Sequence, residues 1–232
     1  MVQTRQPRLS RAANTLFRRQ QIVDATLESV STVGFAETTL AKVASIAGLS
    51  QGIVVFRFGT KEELLTEALR YLAEEYRQAW TEALNTADPD PIARLCAFVD
   101  ADFQPKLISK KKLAVWHAFY GEAKGHPTYL DICSARDEEH TAALRAVMSE
   151  IAALRQIPAG FDVDAAVGLI EGLSDGLWLQ MLLSRPDFKR GPALDLMYRQ
   201  LEILLPAHAD AIRLHRKREG PAPPAKPRRV RA

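Results

Sequence analysis

Cysteine is almost missing from this 232-residue chain: Cys96 and Cys133 stand alone, too few for a disulfide framework. They are expected to be small core residues in a reducing compartment. The five histidines form no His-x-x-x-His pair and do not cluster with cysteine, so neither a metal site nor a cofactor is expected. Also missing are a Gly-rich phosphate loop and a Gly-x-Ser-x-Gly nucleophile turn. With no catalytic constellation, an enzyme is not expected. No apolar run looks long enough to span a bilayer, and the N-terminal stretch lacks the apolar region of a signal peptide. The expected location is therefore the cytoplasm, without a membrane partner. Strand-like alternation with turn signals is absent as well, and an all-α fold remains.

What is present is an uneven charge distribution and strong helical periodicity. The formal net charge is +3, yet residues 1–60 carry seven Arg/Lys against three acids and residues 213–232 carry eight against Glu219. Basic ends thus flank an acidic body, the pattern of a chain whose ends meet a polyanion. Residues 1–14 are basic and aperiodic and read as a flexible arm. Residues 15–60 form a first domain, 61–219 a larger helical one, and 220–232 a disordered, basic, Pro-rich tail.

The organising stretch runs from Thr38 to Leu65. An amphipathic helix over 15–33, ending at Gly34, is expected to brace it. Leu40, Val43, Ala44 and Ala47 bury one side of a short helix that Gly48 stops, and Ser50 is an N-cap for a second one. Leu49, Val54 and Phe58 can face the first helix, which leaves Gln51, Gly52, Val55 and Arg57 outward. A helix that covers its partner with one face and offers small, polar and basic residues on the other suits a helix-turn-helix entering the major groove. From spacing alone, an ordinary helical hairpin is an equal reading. Thr60 and Glu63 form a capping box that opens a long helix to about Leu84.

Thr38-Thr39, the helix ending Ala47-Gly48, Leu49-Ser50-x-Gly52, the aromatic cluster ending in Phe58, and Lys61-Glu62-x-Leu64 together resemble the DNA-binding domain of TetR-type regulators. The resemblance extends upstream through Arg19–Ala25 and Val33-Gly34-Phe35. It implies a three-helix domain in which Ser50, Gln51, Gly52, Val55 and Phe56 meet base edges, while Thr39, Arg57 and Lys61 hold phosphates. The family usually carries Tyr or a small polar residue where this chain has Val55, and Tyr or His where it has Arg57. Arg57 is taken as the substitute phosphate contact.

Beyond Pro91, helical segments over 91–103, 109–124, 127–157, 162–184 and 189–205 are separated by Pro and Gly signals. Gly168, Gly172 and Gly176 recur on a helix apolar nearly all round, each costing about 1 kcal/mol relative to Ala. Close approach of another helix would explain them. With Leu194, Met197 and Leu201 on the next helix, they are expected to form a four-helix interface between two copies, the dimerisation mode that the resemblance implies. An intramolecular core helix is the alternative.

The segment 114–123 and Asp175–Trp178 also resemble the C-terminal domain of choline-responsive BetI-type regulators. Trp116 and Tyr120 share a helix face and could line a pocket with Phe98 and Trp178. With Asp102 or Asp175 they would suit a quaternary ammonium, although aromatics at helical spacing are usually core. The acidic run 137–139 reads as a solvated face. The resulting expectation is a dimeric, ligand-responsive repressor of double-stranded DNA with a small-molecule effector. The competing one is a helical small-molecule or protein binding module without sequence-specific DNA recognition.

Overall fold

A computed structural model describes residues 11–154, 157, 159–183 and 190–218, and the regular elements among them are all helices. In order these are α1 (Arg11–Glu37), α2 (Leu40–Ala47), α3 (Gln51–Phe58), α4 (Lys61–Thr86), α5 (Pro91–Asp102), α6 (Lys110–Ala123), α7 (Pro127–Ala152), α8 (Val163–Leu183), α9 (Arg190–Leu204), a 3-10 turn (Pro206–His208) and α10 (Ala209–Arg218). Local chemistry sets most of the boundaries. Asp90 accepts from the Ala93 amide at 2.9 Å with Pro91 opening α5, and Ser109 accepts from the Lys112 amide at 3.3 Å to open α6. Gly34 breaks α1 with φ 85°, a conformation only glycine adopts cheaply.

Two boundaries differ from expectation. Helix α1 already begins at Arg11, inside the stretch read as an arm, and α7 ends at Ala152, short of 157. The first ten residues of the arm and the tail 220–232 lie outside the described residues.

The chain forms two compact units, one from residues 1–79 and 104–140, the other from 80–103 and 141–232. This is not the expected division near residue 60, because α4 and α7 each contribute to both units. In the first unit, α2, α3 and α6 pack with α1 around Ile22, Leu27, Val43, Val54, Leu64 and Leu65, all buried. Phe35, Phe119 and Tyr129 form an edge-to-face aromatic cluster with centroids 5.3–5.7 Å apart. The Lys111 ammonium reaches Glu28 at 3.0 Å and holds that carboxyl below its ordinary range.

In the second unit, α10 packs on α5 and α9. Asp100 of α5 accepts from the Tyr198 hydroxyl at 2.7 Å and pairs with His215 of α10 at 2.9 Å. Helix α8 buries Ala166, Val167, Ile170, Ser174, Leu177, Trp178 and Met181. By length and composition it is apolar enough to cross a membrane, which corrects the expectation that no run reaches that length; the core helix of a soluble protein passes the same test.

Candidate nucleic-acid interface and effector region

Helices α2 and α3 meet at a bend of 115°, within the range of helix-turn-helix motifs. Thr39 is extended and accepts from the Lys42 amide at 3.2 Å, capping α2 while its hydroxyl proton remains available to a phosphate. Gly48 adopts the left-handed conformation (φ 63°, ψ 35°); its N–H and that of Leu49 close onto Ser45 and Ala44 at 3.2 and 2.9 Å. This Schellman-type end turns the chain sharply into α3. The Gln21 side-chain amide donates to the Ala47 carbonyl at 2.7 Å and ties the same end to α1.

Ser50 caps α3 through its backbone only, so its hydroxyl is not committed to the helix end. Val54 and Phe58 are buried against the rest of the unit, whereas Ser50, Gln51, Gly52 and Val55 are exposed and Phe56 is 88% exposed. A Cβ at Gly52 would meet nothing nearer than Ser50 Oγ at 4.0 Å. Nothing in the protomer therefore demands glycine there, but a closely approaching surface would. Ile53, not singled out from the sequence, is exposed on the same helix; its spacing of three from Phe56 was the available signal.

Two basic candidates are partly engaged within the protomer. The Lys61 ammonium donates to the carbonyls of Phe35 and Ala36, both at 2.9 Å, and lies 5.7 Å from the Phe35 ring centre. It closes the carbonyl end of α1, where a cation also suits the helix dipole. Arg57 is half-buried, with one guanidinium nitrogen donating to the Thr15 carbonyl at 3.5 Å. Thr60 and Glu63 form the expected capping box: the Thr60 amide donates to Glu63 at 2.8 Å and the Glu63 amide to Thr60 at 3.1 Å.

The effector candidates fall in both units. In the first, Trp116 and Tyr120 lie 6.1 Å apart on α6, but the cation facing them is Arg136 of α7. Its guanidinium lies 4.7 Å from the Trp116 ring centre, 4.8 Å from that of Tyr76 and 5.7 Å from that of Tyr120. In the second, Phe98 is buried with its ring 5.9 Å from Trp80, Trp178 is buried, and buried Asp102 accepts from Ser174 at 3.4 Å. Asp175 is exposed. A groove of about 840 Å³ in this unit lies between α9 and α10, lined by Arg190, Tyr198, Arg199 and Arg213 among others, and not by the expected aromatics. Both cysteines are buried, and burial pushes their thiols up to about 12 for Cys96 and about 11 for Cys133. Such thiols are inert.

Of the interface candidates, Gly168 and Gly172 are exposed and Gly176 half-exposed, and an added Cβ at any of the three meets nothing within 4 Å. No helix of the protomer approaches them. Leu194, Met197 and Leu201, by contrast, are buried inside the protomer, a correction: their periodicity marks the unit's own core. The apolar residues that α8 and α9 expose are Leu169, Leu179, Leu183, Leu196 and Ile203, with Leu183 at 74% and Ile203 at 78%.

Fold and turn geometry together define a helix-turn-helix regulator with an appended helical body. Residues 22–68 match the family model of bacterial regulatory proteins of the tetR family, and residues 91–206 match that of the BetI-type transcriptional repressor C-terminal domain. The chain belongs to the tetR family of transcriptional regulators. It is 34% identical over 193 residues to the HTH-type transcriptional regulator BetI of Burkholderia thailandensis, covering 83% of this chain and 95% of that one. It is also 34% identical over 189 residues to BetI of Paraburkholderia phymatum (81% and 93%). The fold is similar to that of a transcriptional regulator from Pseudomonas aeruginosa PAO1, with TM-score 0.73 at 24% identity, covering 85% of this chain and 95% of that one. It is similar also to a Saccharomonospora viridis regulator in complex with choline, with TM-score 0.72 at 19% identity (81% and 96%).

Proposed function

We propose that the chain works in the cytoplasm as a dimeric repressor that binds a pseudo-palindromic operator and is released by a small-molecule effector. The observation that carries this is α3: an eight-residue helix held by two buried residues, with Ser50, Gln51, Gly52, Val55 and an almost bare Phe56 facing outward. An isolated exposed Phe is a liability unless something covers it, and a thymine methyl is an apolar target in the major groove. Thr39 and Arg57 supply phosphate contacts. Lys61 contributes by fixing the end of α1 and by its charge. The dimer face is the glycine-leucine side of α8 with Leu196 and Ile203 of α9. These groups have no cover within their own unit, and a second copy would make the contact isologous.

The effector is proposed to be an organic cation. Support comes from the aromatic box around Trp116 and Tyr120, from the buried Asp102 near Phe98, Ser174 and Trp178, and from the choline held by one structurally similar regulator. The deciding experiment is a gel shift on the region upstream of the protein's own gene, repeated with Arg57→Ala. A specific shift is expected. The variant should weaken binding to all sequences alike and flatten the salt dependence by about 0.9 in log–log slope, one phosphate contact. A loss confined to the operator would make Arg57 a base reader, and the absence of any specific shift would favour a binding module that does not read DNA.

A further inference from the structure

The Arg136 side chain is 9% exposed and surrounded by rings from two other helices: Tyr76 of α4, and Trp116 and Tyr120 of α6. Its carboxylate partner is Asp137, reached through Nε at 2.7 Å; a second guanidinium nitrogen contacts both Asp137 and the Tyr120 hydroxyl. Residues i and i+1 point in different directions from a helix, so the Asp137 pair closes on α7 itself. The rings and the Tyr120 hydroxyl are what join this cation to α4 and α6.

We propose that Tyr76, Trp116 and Tyr120 form a box for a small organic cation, guanidinium or quaternary ammonium, which Arg136 fills from within as an intramolecular competitor. The proposal rests on the reading of the chain as an effector-responsive regulator and names how one site of it is regulated. Three features separate a competitor from a permanent strut. Tyr76 and Trp116 are buried, but Tyr120 is 37% exposed, so the box opens to water on one side. Arg136 also borders a groove of about 250 Å³ between α4 and α7 whose lining includes Glu74 and Glu139. Glu139 lies three residues on along α7, the ordinary helical ion-pair position, so Arg136 has a second seat where its charge stays paired. Finally, ring faces select cations whose charge is spread or covered by methyl groups, since these lose less hydration on entering than a small ammonium or Na⁺.

Exchange of Arg136 for a free cation would detach α7 from rings on α4 and α6, and α6 packs on α1 of the DNA-reading domain. It also means that the wild-type box binds a free cation only in the fraction of molecules with Arg136 withdrawn, which weakens the apparent affinity by that fraction.

The test uses full-length wild type and Arg136→Gln, with melting followed against methylguanidinium and tetramethylammonium at constant ionic strength and sodium chloride as control. Both organic cations should stabilise the variant at half-saturating concentrations at least about tenfold lower than in wild type. Adding Trp116→Leu should abolish the effect. Equal responses of wild type and Arg136→Gln, or responses no larger than that to sodium chloride, overturn the proposal. Should Arg136→Gln fail to fold, Asp137→Asn loosens the anchor without emptying the box and must tighten cation binding; an unchanged midpoint overturns the proposal. A gel shift separates this from the effector reading. Tightened cation binding that leaves operator affinity untouched keeps the box and removes its role in induction. Operator release by a cation with identical midpoints in wild type and both variants keeps the effector and removes Arg136 as its competitor.

Discussion

Phe56 and His117 put opposite demands on solvent. The Phe56 ring touches little within the protomer, so Phe56→Ala should change stability by no more than about 0.5 kcal/mol while costing about 1–3 kcal/mol of operator discrimination. Urea melts and gel shifts on the same protein check the two halves. His117 is half-buried on α6, its Nε2 without a hydrogen-bond partner among the described residues, and burial lowers its pKa from the ordinary 6.5. The folded state therefore resists a proton that the unfolded chain accepts, so stability is complete above about pH 6.5 and declines as pH falls below it. His117→Asn should flatten melting temperature against pH in that window. The Glu28–Lys111 pair also loses stability in acid, but only below the ordinary carboxylate value of 4.5, so the two declines separate on the pH axis. At this scale the sequence was most legible where chemistry is local: Thr39, Gly48 and the Thr60–Glu63 box each act within a few residues. Lys61 and Arg136 were illegible in role because their partners, Phe35 in one case and Tyr76, Trp116 and Tyr120 in the other, lie far away along the chain.

For whole helices, periodicity identifies a face but not what covers it. Leu194, Met197 and Leu201 repeat with the same spacing an intersubunit seam would have, yet they close the protomer's own core. The glycines of α8 were better guides, because three residues that weaken a helix need a reason that the protomer does not supply. Gly172→Leu should therefore leave the protomer folded, with unchanged far-UV ellipticity, and convert dimer to monomer in sedimentation equilibrium. Gly172→Ala distinguishes close packing from mere exposure. A tight seam would make it neutral or worse, whereas a solvent-exposed helix would gain about 1 kcal/mol. The capping box gives a simpler expectation. Thr60→Ala should lower stability by about 1 kcal/mol, read in denaturant melts, since it removes the acceptor for the Glu63 amide where α4 begins.

On the scale of the molecule, the expected boundary near residue 60 failed because α4 and α7 are long helices that belong to both compact units, and no Pro, Gly or change of composition marks where one unit hands over to the next. Family membership was legible because the helix-turn-helix is carried by contiguous residues; the effector region was not, because its candidate residues are scattered over five helices. What the molecule must do as a regulator follows from linkage and needs no such map. If a cation weakens operator affinity by some factor, operator DNA must weaken cation affinity by the same factor. With tetramethylammonium as the probe, the midpoint of its stabilisation should therefore rise in the presence of saturating operator. The rise should equal the fold-change it produces in operator affinity by gel shift at the same salt. An operator with half a helical turn inserted between its half-sites is the control. A dimer with fixed spacing can seat only one α3 on it, so affinity should fall toward the non-specific level and the shift in cation midpoint should shrink with it. Equal cation midpoints with and without the intact operator would mean that the cation site and the DNA-reading helices are uncoupled, whatever each binds on its own.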